Sequence, residues 1–198
     1  MSREIWEIVQ NMEAEDMELQ LALQCAPLIM GLKTSNLLNI PRKGYEVVRK
    51  IVGEGKISCL LLFATEHKAT VLLYRKSSLE AYLKQERVQE LLWRAGYRKL
   101  SLAGVLLTFR ERYRQYMQEK KDFPHEMGVL LGYPIEDVEG FMKHQGKNCL
   151  CTGYWKVYAD REGKQQIFKR FEYAKENLIQ LLALGVRMSD IIAVCSNA

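Results

Sequence analysis

The chain has 198 residues, of which 48% are hydrophobic and 10% aromatic, and its formal net charge is +5. This length suits one domain or two closely joined ones, and the composition excludes collagen-like and intrinsically disordered proteins. The charge is unevenly distributed, because residues 1–18 carry six acids and one base whereas residues 94–121 carry eight bases and two acids. Basic helix faces are usually only solvated, so we do not expect a nucleic-acid partner.

The sequence predicts a cytoplasmic protein with no membrane-spanning segment. Its longest apolar runs, such as Ile57 to Ala64, are far shorter than the roughly 18 residues of a membrane span. The acidic, amphipathic start of the chain lacks the basic and apolar regions of a secretory signal. The sequence has five cysteines, an odd number, and they are scattered along the chain. We therefore expect all of them to be reduced thiols: Cys25, Cys59, Cys149, Cys151 and Cys195.

Residues 1–55 are predicted to form a helical part of the protein. Apolar residues at helical spacing predict a helix over 2–12, capped by Ser2, and a second over 16–25, which begins at Asp16. Pro27 and Gly31 interrupt this pattern, so residues 28–40 are predicted to be a partly apolar loop. A short helix over 44–53 follows.

Residues 56–198 are predicted to contain the sheet. Two β-rich runs, Ile57 to Ala64 and Ala69 to Arg75, predict a hairpin. A capping box at Ser77 to Glu80 and a closing Gly96 predict one helix over about 78–95. An amphipathic helix over 101–120 comes next.

The segment 127–159 predicts a strand-helix-strand unit. Met127 to Leu131 is predicted to be a strand, and the turn at Gly132 to Pro134 leads into a helix that ends near Gly146. Cys149 to Ala159 is predicted to be a longer strand, followed by helices over 161–184, capped by Asp160, and 189–195. We therefore expect one α+β domain over residues 1–198, with a small mixed β-sheet flanked by helices.

His125 is the main candidate for chemistry. It lies in a Phe-Pro-His-Glu segment, and its imidazole could serve as a general base, a metal ligand or the axial ligand of a tetrapyrrole, oriented by Glu126 or Glu119. The alternative is an ordinary histidine hydrogen-bonded at a strand edge.

Cys149 and Cys151 are two residues apart, so on one strand their side chains would share a face. The second cysteine pair of a structural zinc site is absent from the sequence, and free cysteines often serve as small core residues. An enzyme with Cys151 or Cys149 as nucleophile and His125 as base is the alternative. On the opposite face, Tyr154, Lys156 and Tyr158 alternate in a pattern that could grip an anionic or planar ligand, although exposed sheet faces often carry such residues without a ligand.

The sequence contains two distinctive motifs: FPHEMGVLLGYPIEDVEGF, from Phe123 to Phe141, and GYWKVY, from Gly153 to Tyr158. Together with the Cys25-Ala26-Pro27 and Gly31-Leu32-Lys33-Thr34 segments, they resemble an uncharacterised bacterial family of about 200 residues, catalogued as a domain of unknown function. The resemblance implies no activity, substrate or cofactor. Its signature positions here are Lys33, His125, Glu126, Gly132, Tyr133, Pro134, Asp137, Trp155, Lys156 and Tyr158.

The hypothesis that we favour from the sequence is a protein that binds a small ligand or cofactor, such as a metal or a tetrapyrrole, around the FPHE and GYWKVY segments. The residues expected to bind it are Lys33, His125, Glu126, Tyr133, Tyr154, Lys156 and Tyr158. A cysteine and histidine enzyme is the first alternative, so the sequence leaves open whether the protein is an enzyme. The second is a non-catalytic interaction module or homodimer, in which the acidic region 1–18 meets the basic region 94–121 of a partner or second copy.

Overall fold

The computed structural model describes residues 2–13, 16–53, 56–119 and 123–195. Its contacts divide the chain into two compact units: the first unit contains residues 1–76 and 170–198, and the second unit contains residues 77–169. The expectation of one domain over the whole chain stays a prediction. Of the charged residues in the acidic and basic regions, Glu15, Lys120, Lys121 and the side chain of Glu119 lie outside the described part of the chain.

The first unit contains a three-stranded antiparallel sheet in the order β1-β3-β2. Its strands are β1 (Ser35–Pro41), β2 (Ile57–Ala64) and β3 (Lys68–Arg75). Leu72 of the central strand lies opposite Leu37 of β1 and Leu60 of β2. Since both edges of β3 are paired, its middle residues Val71 to Leu73 are fully buried. The hairpin of β2 and β3 predicted from the sequence is confirmed.

Helices cover this sheet and complete the core of the first unit. They are α1 (Arg3–Gln10), α2 (Met17–Ile29), α3 (Tyr45–Gly53), the second part of α9 (Arg161–Ala183) and α10 (Met188–Cys195). Helix α2 is apolar around most of its circumference, as expected for a helix buried in a core. The predicted caps are present, because the Ser2 hydroxyl accepts from the Ile5 N–H and the Asp16 carboxylate accepts from the Glu18 N–H.

Arg75, the last residue of β3, joins the ends of two helices of the first unit. Its buried guanidinium donates to the carbonyls of Leu28 and Ile29 at 3.0 and 2.8 Å, and to the carbonyl of Cys195 at 3.4 Å. The carbonyls at a helix C-terminus have no partner within the helix, so this side chain satisfies polar groups that would otherwise be buried without one.

The second unit is mainly helical. Its helices are α4 (Lys76–Leu83), α5 (Glu86–Arg94), α6 (Leu102–Glu119), α7 (Met127–Leu130), α8 (Ile135–Lys143) and the first part of α9. Two very short strands, β4 (Cys151–Thr152) and β5 (Lys156–Val157), pair antiparallel as a hairpin. Asp160 caps α9 as predicted, since its carboxylate accepts from the Gly163 N–H at 3.1 Å.

Two predictions for the helical regions are wrong. Residues 28–40 are not a loop, because α2 continues through Pro27 to Ile29 and β1 begins at Ser35. Strand β1 pairs along its length with β3, a partner that the local sequence does not reveal. The predicted helix over 78–95 is divided, since α4 ends at Leu83 and α5 begins at Glu86.

The strand-helix-strand unit is also wrong. Met127 to Leu130 form the short helix α7, and a five-residue apolar run fits a helix turn as well as a strand. The predicted long strand over 149–159 is instead the β4-β5 hairpin, so the side chains of 149–159 do not alternate along one strand. Both sheets are antiparallel, which corrects the mixed sheet. The α+β class with helices flanking a small sheet is confirmed.

None of the helices in the described part of the chain combines the length and the apolar composition that a membrane crossing requires.

Candidate functional site

A pocket of about 180 Å³ lies in the second unit, between the segment that precedes α7, helix α8 and the β4-β5 hairpin. Aromatic rings make up half of its lining. The residues that line it are Phe123, His125, Gly128, Tyr133, Asp137, Val138, Phe141, Tyr154, Trp155 and Lys156. Four of the seven residues predicted to bind a ligand are in this set: His125, Tyr133, Tyr154 and Lys156.

Asp137 fastens the hairpin to helix α8. It lies in the first turn of α8 and is 1% exposed. One carboxylate oxygen accepts from the Trp155 indole N–H at 2.7 Å, and the other accepts from the backbone N–H groups of Tyr158 and Ala159 at 2.7 and 3.1 Å. Because three donors converge on one buried carboxylate, Asp137 determines where Trp155 and its neighbour Lys156 lie in the pocket wall.

Tyr133 and Trp155 form one aromatic wall of the pocket. Their rings stack at a centroid distance of 5.0 Å, and the edge of Phe168 packs against Trp155 at 4.6 Å. The Tyr133 hydroxyl donates to the carbonyl of Tyr154, and the Tyr133 carbonyl accepts from the Tyr82 hydroxyl. These contacts join the turn before α8 to the hairpin and to α4, so this wall of the pocket is preformed.

His125 lies between two phenylalanine rings at the surface of the second unit. Its ring centroid is 5.7 Å from that of Phe123 and 5.6 Å from that of Phe141. The residue is exposed, so its imidazole nitrogens are open to solvent or to a ligand. The structure therefore places His125 beside the aromatic lining and not on a strand edge.

Lys156 brings a positive charge to the pocket, near Phe141. Its ammonium donates to the carbonyl of Gly146 at 2.8 Å and lies 5.9 Å from the centre of the Phe141 ring. Gly146 follows α8 with φ +72°, in the left-handed region that glycine adopts at helix ends, and its N–H bonds back to the Phe141 carbonyl. This turn presents the carbonyl that holds the Lys156 ammonium.

Glu126 is the buried partner of a half-buried ion pair. Its carboxylate accepts from the Arg112 guanidinium at 2.8 Å and from the Tyr97 hydroxyl at 3.1 Å. Arg112 also lies over the Tyr97 ring and donates to the Ala95 carbonyl. Glu126 is therefore held on the side of α6 and does not line the pocket beside its neighbour His125.

Tyr158 lies against α8, outside the pocket lining. Its ring stacks on His144 at 5.7 Å, and a Cβ at Gly140 would come within 2.4 Å of the Tyr158 Cβ. The hairpin can approach α8 this closely only because residue 140 has no side chain. Tyr158 contributes instead to a wider groove along α5 and α8, together with Arg94 and Lys143.

Lys33 belongs to the first unit, where it lies in a buried cluster with Cys25 and Asn36. Its ammonium donates to the Asn36 side-chain oxygen at 2.7 Å, and the Asn36 amide lies 3.6 Å from the Cys25 sulfur. Burial lowers the pKa of Lys33 from 10.5 to about 8, partly opposed by the nearby Cys25. Burial also raises the pKa of the Cys25 thiol from 9.0 to about 12.

This cluster predicts a pH-dependent stability. Between the folded pKa of Lys33, about 8, and its unfolded pKa, the unfolded state binds more protons, so stability rises with pH in that interval. Between pH 7 and 9, we expect the free energy of unfolding of the wild type to rise by about 1 kcal/mol relative to that of the Lys33→Met variant. Urea unfolding of both proteins at each pH measures the difference.

Above about pH 9 the unfolded Cys25 thiol ionises while the folded thiol does not, so the Cys25 contribution falls with pH and offsets the further gain from Lys33. If the difference in free energy of unfolding between wild type and Lys33→Met stayed constant from pH 7 to 9, the lowered pKa of the buried Lys33 would be contradicted.

All five cysteines are free. Cys149 and Cys151 are half-buried, neither lines the pocket that contains His125, and the Cys149 sulfur lies 3.6 Å from the Thr152 hydroxyl. Within the described ranges, no group of three or more histidine, cysteine, aspartate or glutamate side chains is arranged to hold a metal ion. The cysteine and histidine enzyme and the metal site stay predictions.

The sequence interpretation missed the part that Asp137, Trp155, Phe141 and Phe123 play in the pocket. Asp137, Val138 and Phe141 share one face of α8, and Asp137 and Val138 are buried. An aspartate on the apolar face of a helix is a signal that the sequence did contain, because a buried carboxylate requires donors from elsewhere in the fold.

A protein-family model with the description "Protein of unknown function (DUF3793)" matches residues 21–192 of the chain. The match includes the whole pocket lining and the Lys33 cluster. No curated protein matches the chain, and no solved structure matches it.

Proposed function

We propose that this protein, which belongs to the DUF3793 family of proteins of unknown function, binds a small single-ring ligand in the pocket of the second unit. Membership confirms the family resemblance seen in the sequence and adds no activity. The observation that carries the proposal is that four predicted ligand residues from two separate segments of the sequence line one aromatic pocket: His125, Tyr133, Tyr154 and Lys156.

The size of the pocket favours one ring over a macrocycle. Its volume of about 180 Å³ is below the range of roughly 300–1,000 Å³ that is typical for drug-sized ligands. It is close to the roughly 150 Å³ of an engineered apolar cavity that binds benzene. We therefore propose a ligand with a single aromatic or apolar ring, and a tetrapyrrole held by His125 would need a larger opening.

The lining supports binding of this kind. The walls are mainly aromatic, and the indole of Trp155 and the hydroxyl of Tyr133 have hydrogen-bond partners within the protein. The polar groups at the pocket include the His125 imidazole and the Lys156 ammonium. An apolar surface with a few polar groups is the usual pattern of a small-molecule site.

Trp155 provides a reporter for the test. It lines the pocket and is 8% exposed, whereas Trp6 and Trp93 are 51% and 54% exposed. In a Trp6→Phe, Trp93→Phe protein, Trp155 is the one tryptophan left, since the chain has three. We expect its fluorescence to change saturably when benzoate or benzamide is added.

The variant that tests the wall is Phe141→Ala. Phe141 lines the pocket, and its ring contacts His125 and Lys156. We expect binding to weaken by about tenfold or more, because one aromatic contact surface is lost. The matched control is Tyr173→Ala, which removes an exposed ring of the first unit and should leave binding unchanged. If neither ring compound binds, or if Phe141→Ala binds both as well as the control, the proposal is wrong.

The proposal includes the cytoplasmic location expected from the sequence, which five free cysteines support. The enzyme and the self-associating module are left as predictions.

A further inference from the structure

The charged groups of the pocket lining are not balanced. Among the lining residues, the one acid is Asp137, and both of its oxygens accept hydrogen bonds from Trp155 and from the hairpin backbone. That carboxylate is 1% exposed and is directed into the hairpin. It therefore offers no free edge to which a cationic ligand could bind.

The Lys156 ammonium is in the opposite situation. It is positioned by the Gly146 carbonyl, and among the ion pairs of the described residues none involves Lys156. An ammonium has three N–H donors, so two remain after the bond to Gly146. A positive charge that is held in place without a carboxylate partner is suited to an anionic group.

His125 is the other nitrogen-bearing side chain close to Phe141. Its imidazole and the Lys156 ammonium are 5.6 and 5.9 Å from the centre of one ring, that of Phe141. Phe141 thus has both nitrogen-bearing side chains within 6 Å of its ring centre. The remaining pocket walls are aromatic or aliphatic and offer apolar contact.

From this arrangement we infer that the ligand is an anion: a single aromatic ring that carries a carboxylate or phosphate group, with the ring against the aromatic walls and the anionic group bound by Lys156. This inference rests on the proposed function, because it specifies the ligand class of the same pocket. Lys156 is the residue that selects for charge, and His125 is a second nitrogen-bearing side chain of the pocket lining.

A purely structural role for Lys156 is the competing explanation. Its bond to Gly146 also satisfies a carbonyl just beyond the C-terminal end of α8, where a cation is favourable in any case. The test must therefore compare ligands of different charge and not only wild type with a variant.

The experiment titrates the protein that has Trp155 as its one tryptophan with four compounds of similar ring size: benzoate, phenyl phosphate, benzamide and benzylamine. We expect benzoate or phenyl phosphate to bind roughly tenfold more tightly than neutral benzamide, and benzylamine to bind most weakly. The stronger of the two anions identifies the anionic group as carboxylate or phosphate.

Lys156→Met should remove the preference for the anion while benzamide still binds, and Lys156→Arg should keep the preference. Thermal unfolding of each variant shows whether the hairpin is retained. The inference is overturned if benzamide equals both anions in the wild type, or if Lys156→Met keeps the preference. In either case ring binding itself would still stand, whereas failure of all four compounds to bind would refute the proposed function.

Discussion

Asp137→Ala is expected to destabilise the second unit by roughly 4 kcal/mol. The substitution removes the acceptor of one buried donor, the Trp155 indole N–H, and of two half-buried donors, the backbone N–H groups of Tyr158 and Ala159. A buried donor left without a partner costs about 1–3 kcal/mol, and the three lie in one cluster, so their costs are not simply additive. Urea unfolding followed by the fluorescence of Trp155 measures the loss, since that residue is itself one of the donors.

Glu139→Ala is the matched control for this prediction. Glu139 lies on the same helix and pairs at the surface with Arg87, so its loss should cost less than about 1 kcal/mol. Asp137→Asn should fall between the two, because one amide oxygen can still accept from the backbone while the indole loses its acceptor. If Asp137→Ala were no less stable than Glu139→Ala, the hairpin would have to be held to α8 by something other than Asp137.

Arg112→Met is expected to have the second largest effect, a loss of about 3 kcal/mol. It leaves the Glu126 carboxylate buried with the Tyr97 hydroxyl as its remaining side-chain donor in the described structure. Removing one partner of a buried ion pair is costly because the other charge stays buried and uncompensated. The side chain of Arg112 is 34% exposed, so the cost should lie at the low end of the usual range.

A double-mutant cycle makes this second prediction specific. Glu126→Gln removes the stranded charge and keeps an acceptor for the Tyr97 hydroxyl, so Arg112→Met combined with Glu126→Gln should recover part of the lost stability. If the stability losses of the two single variants simply added in the double variant, Arg112 and Glu126 would not interact with each other.

The sequence predicted most helices of the protein because their signals are local. The Ser2 and Asp16 caps, the glycine that ends α5 and the apolar stripe of α6 are all properties of neighbouring residues. Strand β1 was missed because its apolar residues gain meaning only through pairing with β3, some 30 residues later. The Met127 to Leu131 run was misassigned because four or five apolar residues fit a strand and a helix turn equally well.

The candidate site was predicted in part, and partly for the wrong reason. Tyr154 and Lys156 do line the pocket, but they reach it from a tight hairpin and not from alternate positions of one strand. Glu126 and Tyr158 are adjacent or near in sequence to pocket residues, yet the fold uses them against Arg112 and His144. Side-chain direction in short irregular segments depends on tertiary contacts, which sequence spacing does not contain.

The most direct test of the central claim, that the pocket is a ligand site, is a crystal structure of the protein with benzoate at saturating concentration. We predict electron density for one ring in contact with Phe141 and the Tyr133–Trp155 wall, with the carboxylate within hydrogen-bond distance of the Lys156 ammonium. Benzoate bound elsewhere while this pocket stays empty, or a pocket filled by the chain's own side chains, would contradict the claim.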